Sequence, residues 1–77
     1  METTLDQLQK NQKATIITFD DAVIPLKLIE MGCIQGNEVT LLEIAPLGDP
    51  LFLSINDTKL AIRKDMAKNI TVEINHL

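Results

Sequence analysis

The chain has 77 residues and a formal charge of −4, with 45% hydrophobic residues and no tryptophan or tyrosine. This length provides for one domain with a thin core, because so small a chain buries only about 60% of the surface that it exposes when unfolded. The acidic balance and the scarcity of aromatic side chains argue against nucleic-acid binding, which relies on a basic surface and on stacking.

The chain shows no sign of secretion or membrane insertion. No segment approaches the about 18 apolar residues that a membrane span needs, and the first residues lack the basic and apolar regions of a signal peptide. Cys33 is the only cysteine, which excludes an internal disulfide and fits a reducing compartment. We therefore expect a cytoplasmic protein without direct membrane insertion.

Short strands with alternating apolar residues account for most of the chain. Leu5 and Leu8 predict a turn that packs down before the first strand, and Asn11 suits a left-handed turn. Asn56-Asp57-Thr58 predicts a tight hairpin with Asp57 at positive φ. The predicted strands cover residues 14–19, 38–44, 51–55, 59–62 and 70–74.

One short helix is predicted over about residues 24–31, and a single helical turn over 65–68. Pro25 fits the first turn of the helix, where no backbone donor is needed, and Gly32 is typical of the position after its end. The helix has one apolar stripe expected to be buried, formed by Ile24, Leu28 and Met31.

The segment Ala45-Pro46-Leu47-Gly48-Asp49-Pro50 is a rigid connector between two apolar runs. Its prolines exclude it from a helix or a central strand. Gly48 is expected to supply an unusual backbone dihedral, and Asp49 to cap backbone donors in the turn. We predict a chiefly architectural role, with contact to a partner added on top.

This segment, with Lys27-Leu28-Ile29-Glu30-Met31-Gly32 before it and Leu60-Ala61-Ile62-Arg63 after it, resembles the FeoA family. These are small cytosolic proteins associated with bacterial ferrous iron uptake. The resemblance covers about residues 5–72 and implies a mainly β fold with a single domain, whose core spans about residues 5–74. The expected architecture is a small, partly open, five-stranded antiparallel Src-homology-3-like barrel with one or two short helices.

The sequence offers almost no support for catalysis or metal binding. Catalysis needs a nucleophile, a base and an orienting group brought together, and the single His76 lies in the terminal tail. A metal site would need Cys33 or His76 together with scattered acids such as Glu30 and Asp49. We interpret Cys33 as a small core residue and predict no enzyme activity, no cofactor and no metal site.

The resemblance implies a partner, the FeoB-type membrane permease with a cytosolic GTP-binding domain. We expect a non-enzymatic accessory protein that docks on this domain and is recruited to the inner membrane by it. Docking would use the predicted helix and the connector, with exposed Leu47 and Ile29 giving most of the energy. The candidate partner-binding residues are Lys27, Ile29, Leu47, Gly48, Asp49 and Arg63.

Arg63 has two interpretations. An arginine supplied in trans could stabilise charge during GTP hydrolysis by the partner. The simpler interpretation is a surface ion pair or a fixed turn at the end of a strand. A basic patch that steers docking is also predicted, formed by Lys27, Lys59, Arg63, Lys64 and Lys68.

Two alternatives to the permease partner stay open. Similar barrels form the C-terminal domain of iron-dependent repressors, so the chain could be a stand-alone metal-responsive regulatory module, although no helix-turn-helix accompanies it. It could also self-associate weakly through exposed strand edges, giving a weak homo-oligomer.

Three residues depart from the family pattern. Lys27 stands where Arg is usual, and Cys33 and Gln35 replace Leu and Pro.

Overall fold

Six antiparallel strands form one sheet within residues 1–75, the part of the chain that the structure, a computed structural model, describes. The strand order is β1-β6-β2-β3-β4-β5, which leaves β1 and β5 as the two edges. The expected place of His76 in a terminal tail lies outside the described residues. The strands are β1 (Glu2–Thr4), β2 (Lys13–Phe19), β3 (Glu38–Ile44), β4 (Leu51–Ile55), β5 (Thr58–Ile62) and β6 (Ile70–Ile74).

The core is aliphatic because each long strand turns alternate Ile, Leu and Val side chains inward. Leu51, Leu53 and Ile55 of β4 are almost completely buried, as the period of two along a strand requires. Each such side chain contributes about 1.5–3 kcal/mol through burial. No polar or charged residue among residues 1–75 is buried with them, so the interior of the barrel is held by apolar packing.

The predicted antiparallel, mainly β architecture is confirmed, with one strand more than the five expected. β3 and β4 have the predicted bounds, and β2 and β5 each begin one residue earlier. β1 was not predicted because its sequence, Glu-Thr-Thr, carries no apolar signal. It forms by pairing with β6, with Thr3 opposite Val72.

Within the described residues, two short helices and a 3-10 turn lie between the strands along the chain. The helices are α1 (Leu26–Glu30) and α2 (Lys64–Ala67), and the 3-10 turn covers Leu5–Gln7. α1 begins two residues later than expected because Pro25 is still extended, with ψ 144°. None of the helices in residues 1–75 is long and apolar enough to cross a membrane.

Gly32 ends α1 as expected and also allows the chain to approach the barrel closely. Its φ is +111°, and a Cβ at this position would lie 3.2 Å from Cγ2 of Ile55. The left-handed conformation is costly for residues with a side chain, and a Cβ here would also require Ile55 to shift by a few tenths of an ångström. The predicted left-handed turns at Asn11 and Asp57 are also confirmed, with φ of 68° and 65°.

Candidate partner-binding surface

The connector 45–50 is a closed loop that presents one leucine to solvent. The N–H of Gly48 donates to the carbonyl of Ala45 at 2.7 Å, and the N–H of Ala45 donates to the carbonyl of Pro50 at 3.1 Å. Gly48 has a φ of +89°, which confirms its expected unusual dihedral. Leu47 lies at the tip with 97% of its surface exposed, so its expected exposure is confirmed as well.

Asp49 fixes this loop to a distant part of the chain. Its Oδ1 accepts a hydrogen bond from the backbone N–H of Lys64 at 2.9 Å. We expected Asp49 to cap donors in its own turn, but the donor belongs to the first residue of α2. The first N–H groups of a helix lack partners within the helix, which explains why a carboxylate from another segment is favourable there.

Lys27 and Arg63 border a shallow, mostly apolar groove between α1 and the end of β5. Leu28, Ile62 and Met66 contribute to its lining. Arg63 also borders an adjoining depression that contains Asp49 and Pro50. The fold thus brings together three of the predicted partner-binding residues, Lys27, Asp49 and Arg63, although they are far apart in sequence.

Ile29 does not have the expected exposure. It is half-buried and packs against the core, as Leu28 does. The apolar stripe of α1 is therefore wider than the predicted i, i+4, i+7 row, which is usual for a helix lying on a core. The apolar side chain that α1 exposes is Leu26, at 67%. The sequence indicates this exposure, because Leu26 directly follows Pro25 and lies two residues before Leu28, on the opposite side of the helix.

Of the five residues of the predicted basic patch, Lys68 makes an ion pair within residues 1–75, whereas Lys27, Lys59, Arg63 and Lys64 make none there. The ion pairs described there join the Met1 amino group to Glu73, Lys10 to Glu43, and Lys68 to Asp65. The predicted surface ion pair of Arg63 is therefore not formed with any described residue. Lys64 lies beside the loop, since its Nζ is 3.4 Å from where a Cβ on Gly48 would stand.

Cys33 belongs to the hydrophobic core, as predicted. It is completely buried, and burial raises the pKa of its thiol above the ordinary value, because the charged thiolate is disfavoured away from water. Among residues 1–75, no group of three or more His, Cys, Asp or Glu side chains is placed to hold a metal ion.

Solved FeoA structures share this fold. The solution structure of a FeoA protein from Chlorobium tepidum superposes with a TM-score of 0.87 at 30% identity, covering 96% of this chain and 71% of that one. The crystal structure of Stenotrophomonas maltophilia FeoA complexed with zinc, described as a prokaryotic SH3 domain protein, gives 0.77 at 28% identity, with coverages of 92% and 89%. The Src-homology-3-like barrel is thereby confirmed.

A further solved structure shares the fold at lower identity. IdeR from T. acidophilum gives a TM-score of 0.81 at 18% identity, covering 96% of this chain and 34% of that one. This likeness shows the fold alone.

The sequence comparisons agree with the structural ones. The chain is 31% identical over 71 residues to an Fe(2+) transport protein A/Fe(2+) transporter FeoB fusion protein from Porphyromonas gingivalis. The match covers 91% of this chain and spans 8% of the length of that relative. The FeoA domain family matches residues 3–74. The chain therefore belongs to the FeoA domain family.

Proposed function

We propose that this protein is a non-enzymatic accessory protein of ferrous iron uptake that binds the cytosolic part of a FeoB-type permease. The observation that carries the proposal is the Porphyromonas gingivalis relative, in which a segment similar to this chain is joined to a FeoB transporter. Joining two modules in one chain gives them a high effective concentration for each other. When the two modules are separate chains, a binding interface between them must replace this covalent link.

The exposed loop supplies an apolar anchor for that interface. Leu47 is 97% exposed, and the loop beneath it is held by its own hydrogen bonds and by Asp49. A fixed apolar side chain loses little conformational freedom when it enters a pocket, so more of its burial energy remains for binding. Leu26 on α1 is a second exposed apolar residue for the same interface.

The charges around the groove favour an acidic partner surface. Lys27, Arg63 and Lys64 are exposed and make no ion pair within residues 1–75, on a chain with a net charge of −4. A local positive region on an acidic protein orients an approaching partner. Arg63 is the only arginine, and it is the residue available for contact with the phosphates of a bound nucleotide.

We expect the protein to be cytoplasmic and to be recruited to the inner membrane through the permease. Titration calorimetry with the purified cytosolic part of the permease tests it, in the presence of GDP and of a non-hydrolysable GTP analogue. We expect saturable binding in at least one nucleotide state. The proposal would be contradicted if calorimetry gave no heat of binding and size-exclusion chromatography gave no co-elution in both nucleotide states.

A further inference from the structure

We propose that the open edge of β5 is a docking site for an extended, acidic segment of a partner protein, which adds to the sheet as a further strand. The inference rests on the proposed function, because it names the chemistry by which this family member would bind its partner. It depends on the backbone of β5, on the charges along that strand and on the space around Ala61.

The backbone of β5 has free hydrogen-bonding groups on one side. Within residues 1–75, β5 pairs only with β4, and the two strands are joined by a two-residue turn with positive φ at Asn56 and Asp57. Such a turn makes the flanking residues, Ile55 and Thr58, a hydrogen-bonded pair. The pairs then alternate along the ladder, so the N–H and C=O groups of Lys59 and Ala61 point away from β4.

These edge groups find no other partner within residues 1–75. None of the backbone hydrogen bonds outside the regular elements, and none of the side-chain hydrogen bonds described there, involves residues 58–62. Thr58, Lys59 and Ala61 are also exposed. Within residues 1–75, α1 approaches the strand near Ala61 and Ile62, across the groove described above. Natural proteins protect such an edge by covering it, by keeping the strand short or by placing charged side chains on it. Here the charges of Lys59 and Arg63 would repel another basic edge but would attract an acidic segment.

The outer face of this strand carries positive charges at regular spacing. Lys59, Ala61 and Arg63 alternate with the buried Leu60 and Ile62, and Arg63 continues the extended conformation with φ −69° and ψ 147°. Residues two apart on a strand are about 6.6 Å apart. Neither Lys59 nor Arg63 makes an ion pair within residues 1–75. A strand added to this edge would therefore meet two cations on either side of a small residue.

Ala61 lies where three surface depressions meet. One contains Asp49 and Pro50, a second contains Leu42 and Phe52, and the third is the groove with Lys27 and Met66. Phe52 is directly opposite Ala61 on β4 and is 40% exposed. The small side chain leaves room above it, with an aromatic ring beside that room.

The partner segment that fits this edge has an apolar side chain between two acidic ones on the same face of its strand. An apolar side chain opposite Ala61 would cover Phe52, and acidic side chains two residues before and after it would face Lys59 and Arg63. An extended segment satisfies the free backbone groups while its alternate side chains supply specificity. A helical partner could meet the charges but would leave the edge N–H and C=O groups of β5 unpaired.

Amide hydrogen exchange of the full chain tests the inference with a synthetic peptide of about seven residues, centred on Glu-Thr-Val-Thr-Glu. Without peptide, we expect fast exchange at Lys59 and Ala61 and slow exchange at Leu60 and Ile62, which pair with β4. The peptide should slow exchange at Lys59 and Ala61 at least about tenfold. Replacing both glutamates by glutamine should weaken binding about two- to fivefold per charge.

Two outcomes of this experiment would overturn the inference. One is unchanged exchange at Lys59 and Ala61 at peptide concentrations that saturate any other spectral change, or no binding at all. The other is slowed exchange at these residues that grows with protein concentration in the absence of peptide, since the occupant of the edge would then be a second copy of this chain.

Matched variants separate the edge from the rest of the surface. Ala61→Pro removes an N–H that the pairing with β4 does not use, and it should abolish peptide binding, whereas Ala61→Ser keeps the N–H and should bind normally. If Ala61→Pro does not fold, the double variant Lys59→Glu, Arg63→Glu takes its place. It should bind a peptide with lysine in place of glutamate and reject the acidic one, and an unchanged preference for the acidic peptide would overturn the inference.

The permease domain distinguishes this inference from the proposed function. Peptide binding at β5 without permease binding would contradict the proposed function and leave the edge site standing. Permease binding that leaves Lys59 and Ala61 unprotected would support the proposed function and overturn strand addition as its mode. Permease binding with protection of both amides would support the two together.

Discussion

The carboxylate of Asp49 accepts a hydrogen bond from the backbone N–H of Lys64 at 2.9 Å, joining two segments that are 15 residues apart. One end of this contact holds the loop that exposes Leu47, and the other is the first residue of α2. Arg63 lies immediately before Lys64 and borders the same depression as Asp49. This hydrogen bond therefore links the loop that carries the apolar anchor to the basic side of the groove.

Replacing Asp49 tests this connection. We expect Asp49→Ala to lower the free energy of unfolding by about 1 kcal/mol, in the range measured for the loss of a helix cap. Asp49→Asn should cost less, because its amide oxygen can still accept the hydrogen bond. Urea unfolding measures both. The control is Asp21→Ala, at an exposed residue with no side-chain hydrogen bond within residues 1–75, and an equal loss there would contradict the assigned role.

Leu47 should matter for binding and not for folding. Because it is almost fully exposed, Leu47→Ala should change the free energy of unfolding by less than about 0.5 kcal/mol. The same substitution at the buried Leu53 should cost about 2–5 kcal/mol. Thermal or urea unfolding gives the comparison.

The binding side of this prediction uses the cytosolic part of the permease. Leu47→Asp should weaken the complex at least about tenfold, because a carboxylate cannot enter an apolar pocket without a partner. Thr18→Ala, on the exposed side of β2, should leave affinity unchanged. Undiminished binding of Leu47→Asp would place the docking surface elsewhere.

Lys27 is expected to contribute through long-range charge. Lys27→Gln should reduce affinity for the permease domain about two- to fivefold at low salt, and the difference should shrink as salt screens the charges. Lys10→Gln is the matched control, since it removes the same charge but disrupts an ion pair with Glu43 away from the groove. Equal effects of the two variants would show that net charge, and not the position of Lys27, determines the affinity.

The buried Cys33 makes stability depend on pH at the alkaline side. Burial raises the pKa of its thiol in the folded protein, whereas the thiol of the unfolded chain ionises near pH 8.5. The folded state therefore holds this proton more tightly. The contribution of Cys33 to the free energy of unfolding is complete below about pH 8.5. This contribution is lost as the pH rises through the higher pKa of the thiol in the folded state.

Urea midpoints across this alkaline range measure the effect. The wild type should lose more stability than Cys33→Ala over the same interval, although the variant starts lower because of the cavity it creates. Alkylation of the native thiol should also be slow, since the neutral buried thiol is a poor nucleophile. Identical pH dependence in the two proteins would contradict the role of burial.

Local patterns were enough to predict much of the barrel. The bounds of β3 and β4 follow from their alternation and from the proline-rich connector between them, which can belong to neither strand. Gly32 and Asp57 mark turns because their backbone conformations are costly for most other residues. These features depend on neighbours in sequence, which a single sequence displays directly.

The features that escaped prediction depend on distant neighbours. β1 is a strand only because β6 offers a partner, and the acceptor at the start of α2 is Asp49, in another segment. Ile29 is half-buried because α1 lies on the core through a stripe wider than one row of side chains. The groove between Lys27 and Arg63 likewise exists only after folding. The separate candidate residues were readable from the sequence, but their arrangement was not.

The most direct test of the account is an isotope-labelled amide spectrum of this protein titrated with the cytosolic part of the permease, with GDP and with a non-hydrolysable GTP analogue. We predict saturable shifts that cluster on α1, on the loop around Leu47 and along β5 up to Arg63, and that are absent with Leu47→Asp. A spectrum that stays unchanged in both nucleotide states, or shifts confined to β1 and β6, would contradict the account.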